Sequence, residues 1–150
     1  MTHSYRIHYF HIIWSTKGRL SLITPEIQLR LYPYIGGIIA KHDAKLIEIG
    51  GMPDHVHLLI KLNSLDNFSA FIRDIKASSS LWLHKNFPQL NIFAWQEGYG
   101  SFSVSYSTLE TVQSYIQNQE RHHSTMSFDQ EYIKLLKLHH ETYDERFVLG

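Results

Sequence analysis

Residues 52–59, MPDHVHLL, carry the pattern that decides the fold: a short turn followed by an apolar strand that begins with two histidines. Successive side chains of a strand point to opposite faces, so we expect His55 and His57 on one face and Val56 in the core. The strand should span residues 55–62 and form a hairpin with a strand at 45–49, across a turn at 50–54. The sequence therefore predicts a sheet with two imidazoles side by side on one face.

The remaining segments alternate between strand and helix patterns. Aromatic and β-branched residues predict a strand at 6–14 and short strand pieces at 93–96 and 102–106. Helix caps are predicted at Thr24, at Asp66 for a helix to about 86, at a capping box 107–110 for a helix to about 122, and at a second box 127–130 for a helix to about 140. The order β-α-β-β-α-β followed by two helices predicts an α+β fold, a ferredoxin-like split βαβ antiparallel sheet with helices on one face. A late helix is then free to cover the other face.

Length and composition bound the function. The chain has 150 residues, of which 43% are hydrophobic, so we expect a single domain, residues 1–150. It has no run of about 18 apolar residues and no signal-peptide pattern, so we expect no membrane association and a cytoplasmic location. Because the chain has no cysteine, any metal must take nitrogen and oxygen ligands. Its 14 basic and 14 acidic residues balance, so binding to nucleic acid would need a local patch.

Tyr115 and Gln119 lie four positions apart in a predicted helix, which places both on one face. If this face docks on the histidine strand, a carboxamide oxygen joins the two imidazoles in an open site for Mg²⁺ or Mn²⁺, completed by phosphate and water. Tyr115 is then a nucleophile beside a held phosphate, and this late helix is the C-terminal catalytic helix of the fold. Attack on a phosphodiester would form a phosphotyrosine and release a 3′ hydroxyl. His122, on the same face, is an accessory candidate for phosphate contact or proton transfer.

These residues resemble a known family, the single-tyrosine HUH transposases of the IS200/IS605 type, including their REP-associated tyrosine transposase relatives. The resemblance covers most of the chain, from residues 10–17 (FHIIWSTK) to residues 115–123 (YIQNQERHH). It is strongest at residues 52–59 and at residues 95–105 (WQEGYGSFSVS). Several motifs in the same order are unlike a chance match.

The resemblance implies that His55 and His57 are the paired metal ligands, Gln119 the third ligand and Tyr115 the nucleophile. It implies a substrate of single-stranded DNA with a hairpin, cut and rejoined through a 5′-phosphotyrosine intermediate. It also implies a homodimer with shared active sites, in which the tyrosine helix of one subunit completes the histidine site of the other.

Candidate DNA contacts are basic residues and aromatic rings that offer stacking surfaces, with Trp95 and Tyr99 expected to be exposed. The basic candidates are Lys17, Arg19, Arg73, Lys76 and Arg121. Two other functions stay open. One is a domesticated, non-mobile relative that binds or processes DNA, and the other is a small metal-dependent hydrolase, which would leave Tyr115 without a role.

Overall fold

The computed structural model describes residues 3–123, 125–144, 146 and 148. In these residues four strands form one antiparallel sheet of order β2-β3-β1-β4. The strands are β1 (His8–Ser15), β2 (Ala44–Met52), β3 (His55–Leu62) and β4 (Gly100–Val104). The helices are α1 (Pro25–Ala40), α2 (Phe68–Asn86), α3 (Leu109–Gln117), α4 (Gln119–His122) and α5 (Phe128–Leu138).

This order and topology confirm the predicted ferredoxin-like α+β fold. The hairpin of β2 and β3 is present, and β1 lies between β3 and β4. The predicted single domain, residues 1–150, includes positions outside the described ranges and stays a prediction. Among the described helices, none combines the length and apolar character needed to cross a membrane.

One face of the sheet carries the larger apolar core. Ile12 on β1 and Val56, Leu58 and Ile60 on β3 are fully buried in one cluster with apolar side chains of α1 and α2. The alternation of β3 therefore places Val56 as predicted. Burying an aliphatic side chain of this size contributes about 1.5–3 kcal/mol, so this face supplies much of the stability.

The opposite face is covered by α3, α4 and α5. Its apolar part is a smaller cluster of Ile13, Phe102, Phe128 and Tyr132. Beside this cluster lie buried polar side chains that belong to the site described below. The expectation that a late helix covers this face is met by three helical segments.

Three local predictions near β2, α2 and β4 are wrong. The turn expected at 50–54 is shorter, because β2 continues to Met52. The helix α2 is preceded by Asn67 in a left-handed conformation (φ 57°), not capped by Asp66. The segment 93–96 is not a strand, and Trp95 forms only an isolated bridge with Thr16. Residues 50–52 pair with the start of β3, which extends β2, and Trp95 donates its indole N–H to Ser79 Oγ on α2.

The helix expected from the capping box at 107–110 to residue 122 is interrupted. Residues Tyr106–Thr108 form a 3₁₀ turn and no side chain caps α3, whereas the Thr24 cap and the capping box at Ser127 form as predicted. The interruption falls at Asn118, whose side-chain amide donates to the carbonyl oxygen of Ser114 at 2.8 Å. Asparagine competes with the helix backbone in this way, which explains a break between α3 and α4.

Candidate functional site

The two histidines lie at the start of β3, a central strand of the sheet. His55 and His57 are fully buried, and their ring nitrogens face side chains of α4 and α5. Because β3 pairs with neighbours on both sides, the backbone that carries the imidazoles is held by hydrogen bonds along its length.

Tyr115 and Gln119 reach the histidines because α3 packs closely against β2. A Cβ atom at Gly50 would lie 2.5 Å from the carbonyl oxygen of Ile116, so only glycine permits this approach. Ile116 is buried against the sheet, which leaves Tyr115 half-buried and Gln119 buried on the site side. Gly50, predicted as a turn residue, therefore positions the tyrosine helix.

The four predicted site residues come together within one chain. His55 Nε2 lies 2.8 Å from Gln119 Oε1. The ring centroid of Tyr115 lies 5.9 Å from that of His57. The tyrosine helix therefore lies against the histidines of its own chain, and the exchange of this helix between subunits stays a prediction.

A buried carboxylate that the sequence analysis missed lies at the centre of this group. Glu131 on α5 is fully buried, and its Oε1 lies 2.9 Å from His57 Nε2 and 3.1 Å from His123 Nε2. Its Oε2 accepts hydrogen bonds from the Tyr115 hydroxyl and, at 3.2 Å, from Gln119 Nε2. Glu131 thus links the nucleophile candidate to the imidazoles.

One feature of the sequence could have identified Glu131 as a site residue. It lies between Phe128 and Tyr132 on the buried side of an amphipathic helix, where a charged residue is rarely found without partners. His123 offered less, because its spacing from the histidine pair carries no ligand pattern. Only the fold brings His123 to Glu131.

The donor set suits a divalent cation. One ligand atom from each of four residues lies within 4.8 Å of the others, namely His55, His57, His123 and Glu131. Gln119 Oε1 borders the same group through His55. Imidazole nitrogens combined with carboxylate and amide oxygens are donor groups that can hold a divalent metal ion.

Further side chains orient the two imidazoles of the strand. Asp54 Oδ1 lies 2.7 Å from His55 Nδ1, and His11 Nε2 lies 2.7 Å from His57 Nδ1. A hydrogen bond at Nδ1 directs Nε2 toward a metal, as is usual around metal-binding histidines. Burial, together with the neighbouring His57, lowers the pKa of His11 to about 3, so this imidazole is neutral near pH 7.

The charges at the centre set the protonation of the phenol. Burial alone would raise the pKa of Glu131, but hydrogen bonds from His123 and His57 outweigh it and hold the pKa well below its usual range. Burial, and then the hydrogen bond to ionised Glu131, raises the pKa of Tyr115. Tyr115 is therefore protonated in this arrangement, and attack by its oxygen requires a proton acceptor.

His122 lies over the ring of Tyr115. The two rings stack with centroids 4.4 Å apart and an interplanar angle of 25°. Its Nε2 is buried and has no hydrogen-bond partner among the described residues. The predicted accessory residue is thus beside the nucleophile candidate, where it supports the orientation of the ring.

Two of the basic residues that were predicted to contact DNA contact other groups of the protein instead. The Lys76 ammonium donates to the carbonyl oxygens of Gln96 and Gly98 at 2.9 and 2.7 Å, and burial lowers its pKa to about 8. Arg19 Nε lies 2.6 Å from Asp129 Oδ1 on α5. Both residues therefore fasten loops and helices in this structure.

The other basic candidates are exposed: Lys17, Arg73 and Arg121. The expectation that Trp95 is exposed is wrong, because it is 7% exposed and its indole N–H donates to Ser79 Oγ at 3.0 Å. Tyr99 is half-buried, with the Lys76 ammonium 5.7 Å from its ring centroid. Trp95, Tyr99, Arg73 and Lys76 all line one surface groove of about 450 Å³.

The fold is similar to the folds of known transposases. Solved structures with similar folds include a transposase from Deinococcus radiodurans (TM-score 0.64, 27% identity, covering 79% of this chain and 96% of that one). Another is a REP-associated tyrosine transposase bound to a REP hairpin (TM-score 0.62, 17% identity, covering 84% and 74%). The second likeness concerns the fold alone.

Sequence relatives point the same way. The chain is 29% identical over 115 residues to the ISDra2 transposase TnpA of Deinococcus radiodurans, covering 73% of this chain and 82% of the relative. It is 25% identical over 115 residues to the transposase for insertion sequence element IS200 of Salmonella typhimurium, covering 73% and 75%. The family model described as "Transposase IS200 like" matches residues 4–119. The chain therefore belongs to the family of IS200-like transposases.

Proposed function

We propose that this chain is a metal-dependent transposase that cleaves and rejoins single-stranded DNA through a 5′-phosphotyrosine intermediate. Membership of the family supports a DNA-cleaving enzyme. The observation that carries the finer proposal is the position of the Tyr115 hydroxyl beside a buried cluster of metal-ligand groups. A DNA-binding relative without catalysis would not need this combination, and a hydrolase that acts through water would not need the phenol.

His55, His57 and Gln119 are assigned to hold Mg²⁺ or Mn²⁺. When bound, the cation supplies Lewis-acid stabilisation to the oxygens of the scissile phosphate. Asp54 and His11 keep the imidazoles oriented through their Nδ1 atoms. These residues therefore place the phosphate within reach of Tyr115.

The cleavage step forms one bond and breaks one. Tyr115 Oη bonds to phosphorus while the bond from phosphorus to the 3′ oxygen breaks, and the 3′ oxygen leaves with a proton from solvent. The phenol proton passes to solvent water as the new bond forms, while Glu131 Oε2, to which the hydroxyl already donates, holds the phenol in position. Rejoining is the reverse attack by a 3′ hydroxyl, which releases Tyr115 and returns its proton. The phosphotyrosine conserves the bond energy between the two steps.

The proposed substrate is single-stranded DNA that carries a hairpin. The sequence predicts that the enzyme acts on it in the cytoplasm. The solved relative bound to a REP hairpin supports the hairpin, although that likeness shows only the fold. Lys17, Arg73 and Arg121 are exposed and are assigned to phosphate contacts. Arg19 and Lys76 would join them only by leaving the contacts described above.

The test is an adduct assay with hairpin-containing single-stranded DNA and Mg²⁺ or Mn²⁺, read on a denaturing gel. We expect a covalent protein–DNA adduct that is abolished in Tyr115→Phe, because the phenol oxygen forms the bond. Tyr106→Phe is the matched control, since Tyr106 is an exposed phenol outside the site. An adduct that persists in Tyr115→Phe would assign the nucleophile elsewhere, and cleavage without an adduct would favour the hydrolase.

A homodimer with shared active sites belongs to this proposal, and the same assay tests it. A His57→Ala subunit mixed with a Tyr115→Phe subunit forms an intact site only if the tyrosine helix of one chain reaches the histidines of the other. Recovery of the adduct in the mixture would support sharing. No recovery would support catalysis within one chain, the arrangement in which Tyr115 lies against its own histidines.

A further inference from the structure

We propose that Glu131 is a fourth ligand of the divalent cation, which makes α5 part of the metal site. The inference rests on the proposed function, because it assumes that the histidine site holds a metal. It adds a residue that lies beyond the segment matching the family model, which ends at Gln119.

The Glu131 carboxylate lies close to the nitrogens that are assigned to the metal. Glu131 Oε1 lies 2.9 Å from His57 Nε2 and 3.6 Å from His55 Nε2. These are the two nitrogens assigned to the metal, and His123 Nε2 approaches the same oxygen at 3.1 Å. A cation held by the histidine pair would therefore meet Glu131 Oε1.

The negative charge of Glu131 also favours its role as a metal ligand. Two neutral imidazoles and an amide bring no negative charge to a buried dication, whereas Glu131 brings one and is a hard oxygen ligand that suits Mg²⁺ and Mn²⁺. Burying an ionised carboxylate costs several kcal/mol unless strong partners replace water. A cation is a stronger partner for that carboxylate than imidazole N–H groups are.

The other carboxylate oxygen links the metal to the nucleophile. Glu131 Oε2 accepts from the Tyr115 hydroxyl and from Gln119 Nε2, while Oε1 faces the imidazoles. The helix is anchored nearby, because Phe128 packs against the His55 ring with centroids 4.8 Å apart. A single side chain of α5 can thus contact the cation and position the phenol at the same time.

The test measures Mn²⁺ affinity of the full chain without DNA, from the EPR signal of free Mn²⁺ during titration. Glu131→Gln keeps the size of the side chain and removes its charge. We expect the Mn²⁺ affinity to fall by at least about tenfold, because changing even a residue that only orients a metal ligand lowers metal affinity by about that much. Glu141→Gln is the matched control, since it removes one exposed negative charge beyond α5. Affinity of Glu131→Gln within twofold of the wild type would overturn the inference, as would equal losses in both variants.

A second measurement on the wild-type chain remains decisive even if Glu131→Gln does not fold. If Glu131 is a ligand, Mn²⁺ binding should slow amide hydrogen exchange in α5. If Glu131 is not a ligand, Mn²⁺ would displace its carboxylate, and exchange in α5 would stay unchanged or accelerate. The adduct assay separates the two proposals. Loss of this inference leaves the role of Tyr115 intact, but a wild-type chain that binds no Mn²⁺ would overturn both this inference and the proposed metal dependence.

Discussion

The two faces of the sheet are covered by helices that are held in different ways. On one face, α1 and α2 pack against side chains such as Leu58 and Ile60, which are wholly apolar. On the other, hydrogen bonds around buried Glu131 join α3, α4 and α5 to the strands. Apolar contacts depend little on direction, so the first face tolerates small shifts, whereas hydrogen bonds and ligand groups require fixed geometry. The comparison separates a surface that supplies stability from one that supplies chemistry.

The largest effect should come from the apolar face. Leu58→Ala is expected to lower the free energy of unfolding by about 2–5 kcal/mol, because it removes buried methyl groups and leaves a cavity. Urea unfolding measures this change. Leu81→Ala, at an exposed position of α2, is the control and should stay within about 0.5 kcal/mol of the wild type. A loss below about 1 kcal/mol for Leu58→Ala would contradict the assignment of stability to this face.

A smaller effect, seen in a different quantity, should come from the polar face. Asp54→Ala removes the partner of His55 Nδ1, and we expect Mn²⁺ affinity to fall by about 10- to 100-fold. Asp66→Ala, at an exposed position before α2, is the charge-matched control. If Asp54→Ala lowers stability but leaves the metal affinity unchanged, this face serves packing rather than metal binding.

The smallest effect should come from an exposed pair on the outer side of the apolar layer. His42 Nε2 lies 2.8 Å from Asp74 Oδ2, and this hydrogen bond lowers the pKa of Asp74. The contribution of Asp74 to stability is therefore present above its unfolded pKa of 3.8 and is lost as the pH falls through the lower folded value. Because both side chains are partly exposed, Asp74→Asn should cost less than about 1 kcal/mol at pH 6.

Unfolding of Asp74→Asn and of the wild type, compared at pH 6 and again at pH 2, tests the sign. The difference between the two proteins should shrink at the lower pH. A difference that grows on acidification would mean that the carboxylate is not stabilised by His42. A large difference at pH 6 would contradict this expectation, since it would show that exposed charges contribute as much to stability as buried ones.

Much of this architecture was predictable where a feature depends on neighbours in sequence. The alternation at His55, Val56 and His57 predicted which side chains share a face, and the order of elements predicted the sheet. Thr24 and Ser127 cap helices with their own side chains, which short-range patterns describe well. The spacing of Tyr115 and Gln119 placed both on the site side, even though the helix breaks between them.

Two predictions that were wrong depend on contacts between distant segments. Trp95 is buried although its local pattern suggested an exposed ring, because its indole N–H donates to Ser79 Oγ. Gly50 was predicted as a turn residue, but the close approach of α3 explains its place in β2. No pattern within these segments contains that information.

From its residues alone, this protein specified a ferredoxin-like sheet, a histidine pair on one face and a tyrosine helix able to meet it, because periodicity and caps act over a few positions. Only the tertiary structure decided that Glu131 and His123 complete the group, because they come from the end of the chain and meet the strand through packing. The tertiary structure also decided that Lys76 contacts a backbone carbonyl oxygen and that Arg19 contacts Asp129. Partners of that kind are selected by distance in space, which spacing along a sequence does not encode.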